Sequence, residues 1–322
     1  MYVINLAHHT ERAEYIRSTF SRKEHGVRFV TAVNGLDPEA LYAQVSNLDD
    51  LDRLRNDGDR YTLWKTGATR GQLGNTVSLL NAMAQALEDD MEYAIIAEDD
   101  VADATKCLFP APLSSYVAYA NKHYSGWHNI RLEWGVHRPV VNLIKRYWYH
   151  QVKKRLTESA LRQTPSDIPE LGRTYGHWTG EEDFPILTPS TAGWGTVAVL
   201  WSRAGMQYLT SALQADADNE QHPARWTCPR EYRCISDNFF WHLGPPNTTL
   251  ITTPPLIGCR MAESSTAEIR GRRTNNLLTH VGITAINTHW LLETYEMLQP
   301  RRPGIDTWPP LLQYSVGNAV WS

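Results

Sequence analysis

The sequence lacks any hydrophobic run long enough to cross a bilayer. One of its longest apolar stretches, residues 193–201, falls far short of the roughly 20 residues that a transmembrane helix needs. The first residues also lack the basic start, long apolar segment and small-residue cleavage site of a signal peptide. These absences predict a cytoplasmic protein, with a lumenal location only if a targeting segment has been removed ahead of residue 1.

Cysteine is scarce as well. The four cysteines, Cys107, Cys228, Cys234 and Cys259, show no CxxC spacing and are too few for a disulfide scaffold. We therefore expect reduced, structural thiols, with a bridge between Cys228 and Cys234 as the alternative.

No excess of positive charge is present. The 31 Lys and Arg residues against 35 Asp and Glu give a net charge of −4, so no overall basic field would attract nucleic acid. The 322 residues are 42% hydrophobic and 20% charged, which can supply a sizeable core. We expect a globular chain with one large α/β domain or two unequal lobes.

The chain opens with alternating strand and helix patterns. Residues 3–6 form a short apolar run, and residues 10–20 then have helical spacing of their apolar positions. Residues 27–33 are rich in β-forming side chains and stop at Asn34-Gly35, a strong turn signal.

The next unit has the clearest pattern. Apolar residues recur at helical spacing over 77–87, with Asn75 or Thr76 as the expected N-cap, and residues 93–97 form an apolar strand. This alternation predicts an α/β fold, with a mostly parallel sheet flanked by helices on both faces.

The composition changes in the middle of the chain. Residues 137–187 contain a basic span interleaved with aromatic residues, which we interpret as a helical insertion. Core-like sequence then resumes with an expected strand at 197–201, a helix at 203–213, a strand at 249–253 and a closing helix at 285–298.

Three consecutive acids, Glu98-Asp99-Asp100, follow the strand at 93–97. Like charges so close raise one another's pKa unless a cation or hydrogen bonds compensate. Ligands of open α/β sheets bind outside the carboxyl ends of the strands, where these acids would lie. Because residues i and i+2 of an extended segment face the same way, Glu98 and Asp100 could serve one site, toward a ribose and a divalent cation. The alternative is an ordinary acidic loop.

Six segments of the chain form a recognisable series of motifs. They are YVINL at 2–6 with Glu11-Arg12, TAVNG at 31–35, residues 67–80, YAIIAEDD at 93–100, TAGWGTVAVLWSRAG at 191–205, and SDNF at 236–239. In this order they resemble glycosyltransferase family 25, which includes lipooligosaccharide and collagen galactosyltransferases. One difference is that GQLGNTVS at residues 71–78 has neither the cysteine nor the histidine of the family's Gly-x-x-Gly-Cys-x-x-Ser-His pattern.

The resemblance implies a GT-A-like, Rossmann-like fold, a UDP-sugar donor, and Mn²⁺ or Mg²⁺ held by the acidic triplet. It divides the chain into a nucleotide-sugar-binding half at 1–136, the helical insertion at 137–187, and an acceptor-binding half with the C-terminal segment at 188–322. The donor would contact Asn5, His8, Arg12, Glu98 and Asp99. His8 could instead be only a loop residue, and Arg12 could lie on a solvated helix face.

Asp100 and Glu98 are the expected metal ligands, with His280 or His289 as a further one, since imidazole suits Mn²⁺. Either histidine could instead be a surface or core residue. Asp237 is the expected catalytic base that takes a proton from the acceptor, and Glu231 is the second candidate. Asp237 could instead be a helix N-cap, and Glu231 a surface-loop residue.

Two features bear on the acceptor. Trp194, between two glycines, could stack on a sugar ring or pack in the core. Residues 140–156, as a helix, would carry an apolar stripe opposite a basic face, which suits peripheral contact with an anionic membrane or glycolipid. An ordinary helix packed on the core is the alternative.

We expect a metal-dependent transfer of a sugar from a UDP-sugar to a carbohydrate, glycolipid or glycoprotein hydroxyl. The resemblance implies inversion at the anomeric carbon and galactose as the first donor sugar to consider. A catalytically silent carbohydrate-binding or scaffold protein of the same fold is one rival. A nucleotidyltransferase, which would release pyrophosphate rather than UDP, is the other. No nucleic-acid partner is expected.

Overall fold

The computed structural model describes residues 1–20, 26–46, 48, 62–63, 68–102, 113–133, 186–189, 195–215, 224–228, 240–241, 243–253 and 257–259. The strands are β1 Tyr2–Asn5, β2 Arg28–Thr31, β3 Thr62–Leu63, β4 Ala68–Thr69, β5 Tyr93–Glu98, β6 Val101–Ala102, β7 Asn129–Arg131, β8 Ile186–Pro189, β9 Ala198–Ser202, β10 Thr249–Thr253 and β11 Gly258–Cys259. The helices are α1 Thr10–Phe20, α2 Pro38–Tyr42, α3 Arg70–Glu88, α4 Leu113–His123 and α5 Arg203–Leu213.

A seven-stranded sheet in the order β2-β1-β5-β9-β7-β10-β8 forms the centre of the fold. Five of its strands run in one direction, while β8 and β9 run in the other. The predicted α/β class is confirmed, and the sheet is mixed because β9 lies antiparallel between β5 and β7. The short pairs β3-β4 and β6-β11 stand apart from it.

Helices cover both faces of the sheet, as the sequence pattern indicates. On one face α1 and α4 contribute Ile16, Tyr116 and Ala120 to the core. On the other face α3 and α5 contribute buried residues that include Leu80 and Met206. Burying each such large apolar side chain contributes about 1.5–3 kcal/mol, so the two layers together hold the strand ends in place.

Helix α3 begins earlier than its apolar spacing predicts. Thr69 is the N-cap and forms a capping box with Gln72, in which each side chain accepts a hydrogen bond from the other residue's backbone amide. The prediction of Asn75 or Thr76 as N-cap is therefore wrong. Both lie inside the helix, where the Thr76 hydroxyl donates to the Gln72 carbonyl at 3.0 Å.

The start of α3 packs directly against the loop that follows β2. A Cβ atom on Gly74 would lie 2.7 Å from the Val33 carbonyl oxygen, and one on Gly35 would lie 2.5 Å from the Arg70 carbonyl oxygen. The Val33 amide also donates to the Ser78 hydroxyl at 2.8 Å. Glycine at these two positions therefore permits the backbones to touch, which fixes the loop beside the ends of β1 and β5.

The elements predicted after residue 136 are confirmed in part, and some of them lie outside the described residues. Helix α5 and strand β10 have the predicted bounds, and β9 lies within one residue of its predicted range. Residues 137–185 and the predicted helix at 285–298 lie outside the described residues, while Ile186–Pro189 form strand β8 at the end of the range predicted as an insertion.

The Cys228 side chain is a buried thiol and not half of a disulfide, so the alternative of a bridge to Cys234 is wrong. Burial raises the pKa of the Cys228 thiol to about 12, as expected of a structural cysteine. Within the described part of the chain, no helix has the length and apolar character that crossing a membrane requires.

Candidate functional site

A cleft opens where β1, β2 and β5 end. These strands are parallel, so their carboxyl ends share one edge of the sheet, the place where open α/β sheets bind ligands. The cleft volume is about 160 Å³, below the roughly 300–1,000 Å³ typical of small-molecule sites. Its lining is Ile4, Leu6, His8, His9, Arg12, Ala32, Val33, Asn34, Gly35, Leu36, Gly71, Asn75, Ser78, Glu98, Asp99 and Asp100.

Asp99 lies at the centre of a polar network in this cleft. Arg12 Nη1 donates to Asp99 Oδ1 at 2.7 Å, and Asn5 Nδ2 donates to Asp99 Oδ2 at 2.8 Å. His9 Nδ1 lies 3.3 Å from the same Oδ2. The residue is 8% exposed, so these bonds form in a largely desolvated place.

Glu98 accepts hydrogen bonds from a different pair of side chains. The Thr196 hydroxyl donates to Glu98 Oε1 at 2.7 Å, and Asn75 Nδ2 donates to the same oxygen at 3.3 Å. Thr196 lies two residues before β9 and follows Gly195, which has a φ of 121°, a conformation that L side chains rarely adopt. The reversed strand thus brings a hydroxyl group to the end of β5.

These contacts alter the argument from charge repulsion. Three adjacent carboxylates need compensation, and the sequence pattern favoured a metal ion for it. In the structure, the guanidinium of Arg12 and the donors around Asp99 and Glu98 supply much of that compensation from the protein itself. The acidic triplet is therefore weaker evidence for a metal than its sequence suggests.

The metal ligands predicted from sequence are only partly visible. Asp100 lines the cleft beside Glu98, which fits a hard divalent cation as one carboxylate ligand. Nowhere in the described ranges do three His, Cys, Asp or Glu side chains come together as a metal site. His280 and His289 lie outside those ranges, so the metal stays a prediction.

The predicted donor-binding residues do lie together. Asn5 and Arg12 each contact Asp99, and exposed His8 lines the same cleft. The alternative of a solvated helix face for Arg12 is wrong, because its side chain is 16% exposed and paired with Asp99. Asn5 is likewise buried.

Sequence reasoning missed His9, Asn75 and Thr196. Asn75 had a signal, since it stands where the resembled pattern has cysteine, and its amide contacts the acidic triplet. Ser78, which matches the serine of that pattern, has its hydroxyl bonded to the Val33 amide and the Gly74 carbonyl, so its visible contacts are structural.

A further acid lies along the same edge of the sheet. Glu133 follows β7, which runs in the same direction as β5, and it is 9% exposed. Two residues earlier, fully buried Arg131 stacks its guanidinium carbon 4.4 Å from the ring centre of Trp241. Neither residue had been expected to contribute to a site.

The remaining candidates lie outside the described residues. They are Asp237, Glu231, Trp194 and the basic segment 140–156. Their predicted roles therefore stay predictions.

Comparison with known proteins identifies a family for the part of the chain that forms the cleft. The model of a family described as "Glycosyltransferase family 25 (LPS biosynthesis protein)" matches residues 1–171, slightly more than half of the chain. No curated protein matches the chain. Every residue named in the lining of the cleft falls inside the family match. The chain belongs to glycosyltransferase family 25 and is a glycosyltransferase.

Proposed function

We propose that this glycosyltransferase passes a sugar from a UDP-sugar, first of all UDP-galactose, to a hydroxyl of a lipopolysaccharide-type acceptor. The observation that carries the proposal is the cleft at the ends of β1, β2 and β5, which lies wholly within the family match. A nucleotide suits this edge of an α/β sheet. Exposed His8 at the mouth of the cleft is the proposed contact to the donor.

The proposed metal is Mn²⁺ or Mg²⁺, with Asp100 as its main carboxylate ligand. Glu98 would be the second described ligand, oriented by the hydroxyl of Thr196, and His280 or His289 would add an imidazole. The metal would supply Lewis-acid neutralisation of the diphosphate as it leaves. A bare diphosphate next to Glu98 and Asp100 would otherwise be repelled.

The proposed reaction is a direct displacement with inversion. The acceptor hydroxyl loses its proton to the carboxylate of Asp237, or of Glu231, and its oxygen bonds to the anomeric carbon. The bond from that carbon to the diphosphate oxygen breaks, and UDP leaves with the bonding electron pair.

The proposed acceptor is a glycolipid or another carbohydrate, and the basic segment 140–156 would attract its anionic surface. Replacing Lys145, Arg146, Lys153 and Lys154 by glutamine should then reduce cosedimentation with vesicles that contain anionic lipid. Hydrolysis of the free donor should stay unchanged. Equal cosedimentation of parent and variant would contradict this role.

A binding and turnover panel tests the proposed function. UDP-galactose, UDP-glucose and a GDP-sugar are added with and without Mn²⁺, and melting temperature and nucleotide release are measured. A true donor at 100 times its Kd adds about 2.7 kcal/mol to the unfolding free energy. Release of UDP is expected, whereas pyrophosphate release or no stabilisation by any nucleotide sugar would contradict the proposal.

Two substitutions sharpen that panel. Asp100→Asn should abolish metal-dependent turnover while the melting temperature stays near that of the parent, because Asp100 faces the cleft. Asp90→Asn is the matched control, since the Asp90 side chain is 92% exposed and bonds Arg203 at the surface. Normal turnover of Asp100→Asn with Mn²⁺ would exclude Asp100 as the ligand.

A further inference from the structure

The three consecutive acids differ in what surrounds them, and the middle one is the most enclosed. We propose that Asp99 is a positioning residue that ties the loop between β1 and α1 to the end of β5. In this role it acts through Arg12, Asn5 and His9 and contacts neither donor nor metal. The inference rests on the proposed function and refines it.

The first step is the occupancy of the carboxylate. Its two oxygens offer about four lone-pair positions, and Arg12, Asn5 and His9 face three of them. The Asp99 side chain is only 11% exposed. A cation or a ribose hydroxyl would have to displace one of these donors to reach the Asp99 carboxylate.

The second step is the place of the three donors in the chain. Asn5 is the last residue of β1, His9 directly precedes α1, and Arg12 is in the first turn of α1. They bracket residues 6–8, which include His8 of the cleft wall. The loop is further shaped by the His9 amide, which donates to the Leu6 carbonyl at 2.8 Å.

The third step is the sequence separation of the residues that Asp99 connects. Arg12 and Asp99 are 87 positions apart in sequence, so their bond joins two separate segments of the cleft. Hydrogen bonds between charged groups are roughly twice as strong as neutral ones. Asp99 therefore sets the distance between His8 on one wall and Asp100 on the other, which a reacting donor must bridge.

The experiment compares Asp99→Asn, Arg12→Gln and the double variant with the Asp90→Asn control. Hydrogen–deuterium exchange of peptides that cover residues 5–12 and 96–102 is measured without ligand. Steady-state kinetics then give kcat, KM for UDP-galactose and the Mn²⁺ concentration for half activation.

A positioning role has a defined signature. Exchange of residues 5–12 rises in Asp99→Asn and not in the control. kcat/KM falls by about 10- to 100-fold, as expected of a misplacement near 1 Å. The Mn²⁺ concentration for half activation stays that of the parent. The kcat/KM of the double variant is no lower than that of the less active single variant, because both substitutions break the same contact.

Other results overturn the proposal. Unchanged exchange in residues 5–12 shows that Asp99 does not hold the loop. A raised Mn²⁺ requirement makes Asp99 a direct ligand, and losses that add in the double variant show that Asp99 does not act through Arg12. If Asp99→Asn does not fold, Arg12→Gln alone must still raise exchange of residues 96–102, and its failure to do so counts against the tie.

The two proposals fail separately. A parent protein that neither binds nor turns over any nucleotide sugar contradicts the proposed function, and the exchange data still decide whether Asp99 holds the loop. A parent that turns over UDP-galactose, with exchange unchanged in Asp99→Asn, contradicts only the positioning role.

Discussion

Replacing Gly74 by alanine sets helix propensity against packing. Gly74 is inside α3, where alanine is favoured over glycine by about 1 kcal/mol. A Cβ atom there would lie 2.7 Å from the Val33 carbonyl oxygen and 3.0 Å from the Gly35 amide nitrogen. Ordinary van der Waals contacts of Cβ begin near 3.4 Å, so the helix and the loop after β2 must separate by several tenths of an ångström.

The packing cost should win. Overfilling a close-packed interior costs about 1–3 kcal/mol, and both obstructing atoms belong to backbone that no rotamer change can move. Separation also stretches the 2.8 Å bond from the Val33 amide to the Ser78 hydroxyl, which is worth about 1 kcal/mol. Less the gain in propensity, we expect Gly74→Ala to lower the unfolding free energy by about 1–3 kcal/mol.

Denaturant unfolding of parent and variant measures this difference, and Gly26→Ala is the matched control. No atom lies within 4 Å of a Cβ at Gly26, and its φ is not in the left-handed region, so the control should be neutral or slightly stabilised. A Gly74→Ala protein as stable as the parent would refute the reasoning, because the loop would then yield at no cost. The loop also forms a wall of the cleft, so the variant should bind nucleotide sugar more weakly.

Three further outcomes follow from other contacts. The Cys228 thiol, whose pKa burial raises to about 12, should stay unmodified by iodoacetamide in the native protein and react on unfolding, as mass spectrometry of its peptide will show. Burial and the hydrogen bond to Asp89 raise the pKa of Tyr2 from 10.0 to about 12. The stabilisation linked to this raised pKa is fully present below pH 10 and is lost as the pH rises toward 12. Tyr2→Phe should therefore reduce the fall of the melting temperature over that alkaline range. Ser202→Ala removes the N-cap bond to the Gly205 amide and should cost about 1–2 kcal/mol in denaturant unfolding, whereas an equally stable variant would contradict that role.

Periodicity predicted the elements that carry their own signal. Helix α5 matches its predicted residues because its apolar positions recur at helical spacing, and strand β10 matches because four of its five residues are β-branched. The direction of β9 could not be predicted, since a fully buried strand has the same apolar run whether its neighbours are parallel or antiparallel. The start of α3 was visible as a Thr-x-x-Gln capping box, but the apolar spacing drew attention to residues further along.

The sequence predicted which kinds of residue form the site, but not which of them contact one another. The acidic triplet and Arg12 were placed near one ligand, yet the pairing of Arg12 with Asp99 spans 87 positions and depends on how β1 lies beside β5. Thr196 reaches Glu98 only because β9 is reversed, so its role could not precede knowledge of the topology.

The position of β9 also governs the order in which the protein can form during synthesis. Strands β5 and β7 follow one another in the chain but are not neighbours in the sheet, because β9 separates them. A nascent chain that has been synthesised as far as residue 171 contains β5 and β7 but not β9, which pairs with both. The backbone amides and carbonyls on that edge of β5 then have no partner strand. Unpaired strand edges invite association with other chains, so chaperone protection should be needed until β9 emerges from the ribosome. Completion of the centre of the sheet is thus a late event that depends on pairing over about 100 positions, which makes slow folding the expected behaviour.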